Sequence, residues 1–178
     1  MKLFYDTEFL EDGHTVELIS IGIVAEDGHE YYAVSSEMPV DRIRKHEWLM
    51  KNVVPTLPVT NPRSPSLMGV DRTSHLVKPN WVIANEVRNF VLQDKEPELW
   101  AYYGAYDHIT LCQLFGPMIQ LPKGMPMFTH ELMQLWELAG KPEKPKHYAG
   151  EEHNALNDAH WNLKLYRTCT AVLERHRD

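Results

Sequence analysis

The sequence has little cysteine and no long apolar run. Its 178 residues include 2 cysteines, Cys112 and Cys169, and neither stands in a spacing typical of a metal site, so a reduced, intracellular chain is the simplest interpretation. The longest apolar run, LISIGIVA at 18–25, is far shorter than the ~20 residues that cross a bilayer. Because the amino terminus reaches acidic residues too early for a signal peptide, we expect a soluble, cytoplasmic protein with no membrane partner.

Positive charge is also scarce. The formal net charge is -7, which argues against general long-range attraction to nucleic acid but leaves open an enzyme that grips a few nucleotides through metal ions. The second of two basic clusters precedes His153 and is a candidate for phosphate contact, although a solvated surface is the favoured interpretation of both. The clusters are Arg42, Arg44 and Lys45, and Lys141, Lys144 and Lys146.

Two familiar catalytic signatures are missing. No glycine-rich phosphate-binding loop occurs in the chain. The segment HELMQ at 130–134 lacks the second histidine of the zinc-protease motif H-E-x-x-H. The sequence therefore gives no support for an enzyme with a glycine-rich phosphate-binding loop or for a zinc protease.

The length and the apolar pattern predict one domain over 1–178. Runs rich in Val, Ile, Phe and Tyr at 2–9, 15–25 and 30–36, separated by Asp-Gly pairs, predict an antiparallel meander. Helices and strands then alternate, which predicts a mixed α/β sheet with parallel additions, and Asn80 should cap the second helix. The expected helices cover 41–54, 81–93, 105–116, 130–140 and 154–176, and the later strands lie at 98–104 and near 127–128.

An irregular, proline-containing insertion from Pro55 to Pro79 interrupts this pattern. A loop of this length is uncommon inside a compact domain unless it is functional or disordered. It could form a lid, a dimer arm or a mobile insertion, and the residues do not choose among these.

Acidic residues gather at three places. Asp6 and Glu8 should share one face of the first strand, where their repulsion is costly without partners. Asp107 stands where a strand leads into a helix, and Asp158 lies in the first turns of the last helix, five residues after His153. Each group has an ordinary interpretation: an exposed strand end, a helix N-cap and an acid favoured by the helix dipole.

The order of these three groups favours one shared site. Such a set can meet at the surface of a mixed α/β sheet, and carboxylate oxygens are the ligands that Mg²⁺ and Mn²⁺ prefer. Two divalent ions ~3.5–4 Å apart can clamp both the attacking and the leaving oxygen of a phosphodiester. A neighbouring histidine suits removal of a proton from the attacking water.

The motifs DTEF, YDH and HNALNDA resemble, in the same order, the three exonuclease motifs of the DEDD superfamily. The position of His153 resembles the DEDDh branch, since the tyrosine-containing branch would have Tyr where Asn154 stands. The segments FYDTEFLEDGHTVELISIG and GAYDHITLCQLFGPM resemble more closely the polyadenylate-specific 3′-exoribonuclease AS type. This resemblance implies a ribonuclease H-like fold and a 3′-5′ exoribonuclease that releases nucleoside 5′-monophosphates, with a preference for adenine.

The resemblance also implies roles for residues. The expected ligands of two Mg²⁺ ions, which Mn²⁺ can replace, are Asp6, Glu8, Asp107 and Asp158. Asp6 would bridge the ions, Asp107 would act partly through water, and His153 would be the general base. The expected substrate contacts are Glu8, Phe9, Tyr106 and His153, whereas Tyr103 and Trp136 are interpreted as core residues.

The expected partner is single-stranded RNA or an RNA 3′ overhang, bound by a homodimer as in many relatives. One alternative is the same chemistry on DNA 3′ ends. Another is a catalytically silent module that binds RNA or a protein partner, although such a scaffold has no use for unpaired carboxylates.

Overall fold

The computed structural model describes residues 1–147 and 152–175. Its first three strands form the expected antiparallel meander and are rich in β-branched and aromatic residues. They are β1 (Lys2–Glu11), β2 (Val16–Ala25) and β3 (Glu30–Ser35). The register pairs Asp6 with Gly22 and Glu8 with Ser20, and it shifts between Glu8 and Phe9. Such irregularities bend a strand locally and are common next to active sites.

The five remaining strands in the described residues are short. Two of them, β4 (Val59–Thr60) and β5 (Gly69–Val70), form a separate antiparallel pair. The others are β6 (Val77–Lys78), β7 (Glu98–Ala101) and β8 (His130–Glu131), which pair parallel with β3, β1 and β7 respectively. The six-stranded sheet has the order β6-β3-β2-β1-β7-β8. The predicted mixed α/β sheet with parallel additions is thereby confirmed.

Six α-helices flank the sheet in the described residues. They are α1 (Val40–Ile43), α2 (Glu47–Asn52), α3 (Asn80–Val91), α4 (Ala105–Gln113), α5 (Leu132–Leu138) and α6 (Ala155–Arg175). Single turns of 3₁₀-helix occur at Val54–Thr56 and Met118–Gln120. None of the described helices is both long enough and apolar enough to cross a membrane.

The two faces of β1 pack against different helices. Leu3 and Tyr5 lie in one buried cluster with side chains of α3 and α4, including Ile83 and Leu111. Phe4 lies in another cluster with Ala159 and Leu163 of α6. Because side chains alternate along a strand, positions 6 and 8 continue the face of position 4. The acids of β1 therefore point towards the last helix.

Several predicted boundaries were wrong. The helix expected over 41–54 is broken into α1 and α2, and α4 ends at Gln113, before Gly116, whose φ is +83°. The last strand, which the sequence predicted near 127–128, is β8 at His130–Glu131. Residues 148–151 and 176–178, including the end of the last predicted helix, lie outside the described residues.

Asn80 is not a helix cap. Pro79 occupies the N-cap position, and the Asn80 side chain instead accepts a hydrogen bond from Ser35 Oγ over 2.6 Å. The Asn80 backbone N–H donates to Glu37 Oε1 over 2.8 Å, so a glutamate from the loop after β3 satisfies this end of α3. A long-range partner has replaced the local cap that the sequence predicted.

The segment from 55 to 79 is also less irregular than predicted. It contributes the β4–β5 pair and the edge strand β6. Met68 within it is fully buried in a second core cluster, which also contains Ile43, Val53 and Val54. Runs of two residues carry no alternation that a sequence pattern could reveal.

Candidate active site

Three carboxylates converge between β1 and α6. Asp6, Glu8 and Asp158 each place one carboxylate oxygen so that all three oxygens lie within 4.8 Å of one another. Glu8 is buried, and the other two side chains are half-buried. Oxygen atoms gathered this closely in a partly dry pocket are the donor set that Mg²⁺ and Mn²⁺ prefer.

Gly22 allows the last helix to reach these acids. A Cβ atom added at Gly22 would lie 2.4 Å from the backbone carbonyl carbon of Ala155, the first residue of α6. The beginning of α6 therefore rests directly on the backbone of β2, at the residue that pairs with Asp6. This close approach brings Asp158, one turn along the helix, over the β1 acids.

Asp107 joins the site through Thr7. Its Oδ1 atom accepts hydrogen bonds from the Thr7 backbone N–H over 2.8 Å and from the Thr7 hydroxyl over 2.6 Å. Asp107 is buried near the start of α4, whose N-cap is Gly104, so it is not the N-cap considered from the sequence. Asp107 is not one of the three acids whose oxygens lie within 4.8 Å of one another, but it is hydrogen-bonded to Thr7, the residue between Asp6 and Glu8.

Glu131 holds the turn that leads to Asp107. Its carboxylate accepts from the backbone N–H groups of Tyr103 over 3.0 Å and Gly104 over 2.9 Å, and from Met133 over 2.9 Å. Tyr103 has a left-handed backbone with φ of +54°, which needs such support in a residue other than glycine. The acid of HELMQ, which resembles part of a zinc-protease motif, thus has a structural task.

Burial makes the acidic cluster unfavourable without cations. Burial, followed by the charges of Asp158 and Asp107, raises the pKa of Glu8 to about 8. Burial, followed by the charges of Asp107 and Glu8, also raises the pKa of Asp6 well above its ordinary value. These carboxyls resist ionisation at neutral pH because each lies close to others and away from water.

The pKa values of the other two acids reflect opposing effects. Burial raises the pKa of Asp107 to about 6, against the hydrogen bonds from Thr7, which lower it. Burial likewise raises the pKa of Asp158 to about 6, against the backbone N–H of His153, which lowers it. Hydrogen-bond donors thus keep these two acids closer to their ionised form than Glu8.

His153 reaches the cluster through its backbone. Its N–H donates to Asp158 Oδ2 over 2.9 Å, and its own backbone is left-handed with φ of +63°. The imidazole meets the edge of the Trp48 ring, with the ring centroids 4.8 Å apart. The sequence predicted His153 as a site residue, but it gave no indication that Trp48, within the helix predicted over 41–54, contacts it.

A second histidine also lies at the site. His147 Nδ1 is 3.8 Å from Asp158 Oδ1, and its ring stacks on Trp161 with centroids 4.7 Å apart. The residues around it, a lysine- and proline-containing loop, offered no pattern that would have identified it. Two histidines therefore contact Asp158, His153 through its backbone N–H and His147 through its ring.

Aromatic side chains border the cluster. Phe9 stacks on Tyr106, with centroids 5.7 Å apart and planes inclined by 11°. Trp48 and Tyr106 are about half-exposed, and a cleft of about 190 Å³ is lined by Phe9, Leu10, Glu11, His46, Trp48 and Leu49. The prediction that Tyr103 is a core residue was wrong, because 62% of it is exposed. Trp136 packs partly buried against α6.

The basic clusters are largely engaged within the protein. Arg42 forms ion pairs with Asp12 and Glu17. Lys144 donates to the Tyr102 hydroxyl over 2.8 Å and lies 4.3 Å from the centroid of the Trp136 ring. Both residues therefore already have partners within the protein.

The chain is similar to proteins named as exoribonucleases. Residues 67–170 match the family model described as the 3′-5′ exoribonuclease Rv2179c-like domain. Two relatives from Mycobacterium tuberculosis are 46% identical over 174 residues, which span 97% of this chain and 95% of the relative. They are named 3′-5′ exoribonuclease MT2234.1, from strain CDC 1551 / Oshkosh, and 3′-5′ exoribonuclease Rv2179c, from strain ATCC 25618 / H37Rv.

A solved structure aligns with most of the chain. It is described as the yeast NOT1 MIF4G domain co-crystallized with CAF1, and the aligned chain is 12% identical with a TM-score of 0.49. The alignment covers 98% of this chain and 80% of that one. A likeness at this level carries no argument about fold or function.

Proposed function

The chain belongs to the Rv2179c-like 3′-5′ exoribonuclease family, and from this membership we propose that it degrades RNA from the 3′ end by a two-metal mechanism of the DEDDh type. The single observation that carries the mechanism is the convergence of the Asp6, Glu8 and Asp158 oxygens within 4.8 Å. We further propose a ribonuclease H-like domain over 1–178 that acts in the cytoplasm as a homodimer.

The carboxylates fit the proposed cofactor. Their oxygens suit hard divalent cations, and their raised pKa values show an acidic cluster that a cation would relieve. Two Mg²⁺ ions, or Mn²⁺ in their place, would be held by Asp6, Glu8, Asp107 and Asp158. When bound, the ions supply Lewis-acid stabilisation of the charge on the phosphodiester. Thr7 and Gly22 keep the ligands in place, through Asp107 and through the approach of α6.

His153 is proposed as the general base. Imidazole is the group most often used to remove a proton at neutral pH, provided that it lies within reach of the attacking water. The backbone hydrogen bond to Asp158 keeps His153 at the edge of the acidic cluster, and Trp48 supports its ring.

Substrate contacts are proposed for Glu8, Phe9, Tyr106 and His153, and the structure adds Trp48. Phe9 and the half-exposed Trp48 line the cleft next to Glu8, and Tyr106 stacks on Phe9. Stacking of a base on an aromatic side chain is worth roughly 1–3 kcal/mol. We therefore expect the 3′-terminal nucleotide of single-stranded RNA, or of a 3′ overhang, to lie here, with adenine preferred.

The test is digestion of 5′-labelled single-stranded RNA with an adenine-rich 3′ end in the presence of Mg²⁺. The wild-type protein should produce a ladder that shortens from the 3′ end and release nucleoside 5′-monophosphates. Asp6→Asn should lower the rate by at least about 10²-fold because it removes a ligand from the site. Cleavage by this variant at the wild-type rate would contradict the two-metal mechanism.

Matched DNA and RNA oligomers with other 3′ ends complete the experiment. Faster digestion of DNA than RNA would support the alternative of a deoxyribonuclease. No cleavage of either with Mg²⁺ or Mn²⁺ would support the silent binding module. Equal rates on adenine-rich and pyrimidine-rich ends would contradict the proposed adenine preference.

A further inference from the structure

The backbone of His153 is held in an uncommon conformation. Its φ of +63° lies in the left-handed region, which residues other than glycine adopt only when their surroundings impose it. On one side, the His153 N–H donates to Asp158 Oδ2 over 2.9 Å. On the other side, the His153 carbonyl accepts a hydrogen bond from Thr56 Oγ1 over 3.0 Å. Both peptide groups of the residue are therefore tied.

Thr56 is well placed to act as a fixed donor. It ends the 3₁₀ turn Val54–Thr56, in which Pro55 restricts the backbone and Val54 is buried against the second core cluster. Its hydroxyl also lies 2.9 Å from the Val53 carbonyl oxygen, so one proton is shared between two acceptors. The turn that carries Thr56 follows α2, which carries Trp48.

Two contacts from the same part of the chain thus act on His153. Trp48 touches the imidazole, and Thr56 holds the peptide group behind it, although both are about a hundred residues away in the sequence. A change in the His153 backbone would rotate the imidazole relative to the carboxylates, because the ring direction follows from φ and ψ. The hydroxyl of Thr56 is therefore in a position to control where the ring lies.

We infer that Thr56 is a positioning residue for the His153 imidazole and that the start of the proline-containing segment supplies this support. The inference rests on the proposed role of His153 as general base. It gives part of the segment 55–79 a task in the reaction, distinct from a lid or a dimer arm.

The test compares Thr56→Val, which keeps the shape of the side chain and removes its donor, with Thr56→Ser, which keeps the donor. Thr60→Val is the matched control, because the hydroxyl of the exposed Thr60 donates to Gly69 O within the β4–β5 pair. For each variant we would measure kcat and KM on adenine-rich RNA with Mg²⁺, and Mn²⁺ affinity by calorimetry. Thr56→Ala replaces Thr56→Val if the valine variant does not fold.

The expected result is specific to kcat. Thr56→Val should lower kcat by about tenfold, since small displacements of a catalytic group are costly, while KM and Mn²⁺ affinity stay within about twofold. Thr56→Ser should restore most of the rate, and Thr60→Val should match wild type. In a His153→Ala background, Thr56→Val should have no further effect, because the two residues act through one group.

Other outcomes overturn the inference in separable ways. A Thr56→Val protein with wild-type kcat, a serine variant as slow as the valine variant, or additive losses in the double variant would each show that Thr56 does not act through His153. An equal loss of Mn²⁺ affinity and rate would indicate general damage to the site. An inactive wild type, or a His153→Ala variant at wild-type rate, would instead overturn the proposed function, and this inference with it.

Discussion

At the scale of single residues, two histidines contact Asp158, and they do so through different atoms. His153 binds Asp158 through its backbone N–H and leaves its ring against Trp48. His147 approaches Asp158 with a ring nitrogen at 3.8 Å and is stacked on Trp161. The backbone of His153 thus contacts Asp158, whereas His147 uses its ring.

The two histidines should therefore respond differently to substitution. His153→Ala should lower kcat by about 10²–10⁴-fold, the range typical of a lost general base, with little change in Mn²⁺ affinity. His147→Ala should weaken Mn²⁺ binding and change kcat by less than about tenfold. Single-turnover kinetics and calorimetry would separate these effects. If His147→Ala lowered kcat more than His153→Ala did, His147 would be the better candidate for the general base.

The raised pKa values of the acids predict an unusual pH dependence of stability. A carboxyl whose pKa is raised by folding adds stability while protonated, and this contribution is lost as the pH rises through its folded-state pKa. The pKa of Asp107 and of Asp158 is raised to about 6 and that of Glu8 to about 8. The metal-free protein should therefore lose stability between about pH 5 and pH 8.

Denaturant unfolding in the presence of EDTA would measure this loss. The free energy of unfolding should fall by about 1–3 kcal/mol from pH 5 to pH 8. Glu8→Gln should reduce the slope, because it removes the acid whose pKa is raised to about 8. The surface acids Asp12, Asp27, Asp71 and Asp94 have lowered pKa values, so they affect stability only at lower pH. Stability that rises with pH in both proteins would contradict the argument.

Which site residues a sequence can reveal depends on the range of their contacts. Four acids were identified because each lies in a sequence motif: Asp6, Glu8, Asp107 and Asp158. The structure brings the first, second and fourth of these together, and Thr7 binds Asp107 through two hydrogen bonds. Trp48 and His147 have no such local pattern. Trp48 belongs to the site through a contact with His153, far along the chain, and His147 through the packing of its loop against α6. Neither contact leaves a periodicity or a spacing in the sequence.

At the scale of elements, the docking of α6 on β2 depends on one missing side chain. The beginning of α6 occupies the space that a Cβ at Gly22 would need, 2.4 Å from the Ala155 backbone. This contact sets the height of Asp158 above Asp6 and Glu8. The sequence predicted both elements correctly, but it could not show that their backbones touch, because glycine in a strand has several possible reasons.

Gly22→Ala should therefore damage the metal site through the helix. We expect a loss of about 1–3 kcal/mol in the free energy of unfolding, as for other overpacked sites, together with weaker Mn²⁺ binding. Gly69→Ala is the control, since a Cβ there would meet only Thr60 Oγ1 at 3.4 Å. Calorimetry and denaturant unfolding would report both effects. Unchanged Mn²⁺ affinity in a destabilised Gly22→Ala protein would show that α6 can shift without moving Asp158.

Strand prediction succeeded where the elements are long and failed where they are short. β1, β2 and β3 were found close to their observed bounds because their apolar residues run over six to ten positions. β4, β5, β6 and β8 have two residues each and are strands only because a neighbouring strand offers its backbone. Such strands are products of tertiary structure and not of local preference.

At the scale of the whole molecule, the acidic site lowers the stability of the folded domain. The protein carries a formal net charge of -7 and concentrates buried carboxyls with raised pKa values at one point between β1 and α6. The buried apolar clusters on both faces of the sheet hold these acids together against their repulsion. A divalent cation that binds only the folded protein should therefore stabilise the entire domain.

Thermal unfolding with and without Mn²⁺ would measure this coupling. At an Mn²⁺ concentration about 100-fold above the Kd, the stabilisation is about 2.7 kcal/mol, which corresponds to an increase in Tm of about 5–10 °C for a domain of this size. The increase should be larger at pH 8 than at pH 6, because protons compete with the metal for carboxylates whose pKa values are raised.

Asp6→Asn should change how Tm depends on Mn²⁺. Without metal, the variant should unfold at a higher temperature than wild type, since it removes one of the repelling charges around Glu8. With Mn²⁺, its Tm should hardly change, because a ligand is missing, so the stability order of the two proteins should invert on addition of metal. An equal increase in both would mean that Mn²⁺ binds elsewhere, and the carboxylates between β1 and α6 would then need another counter-charge.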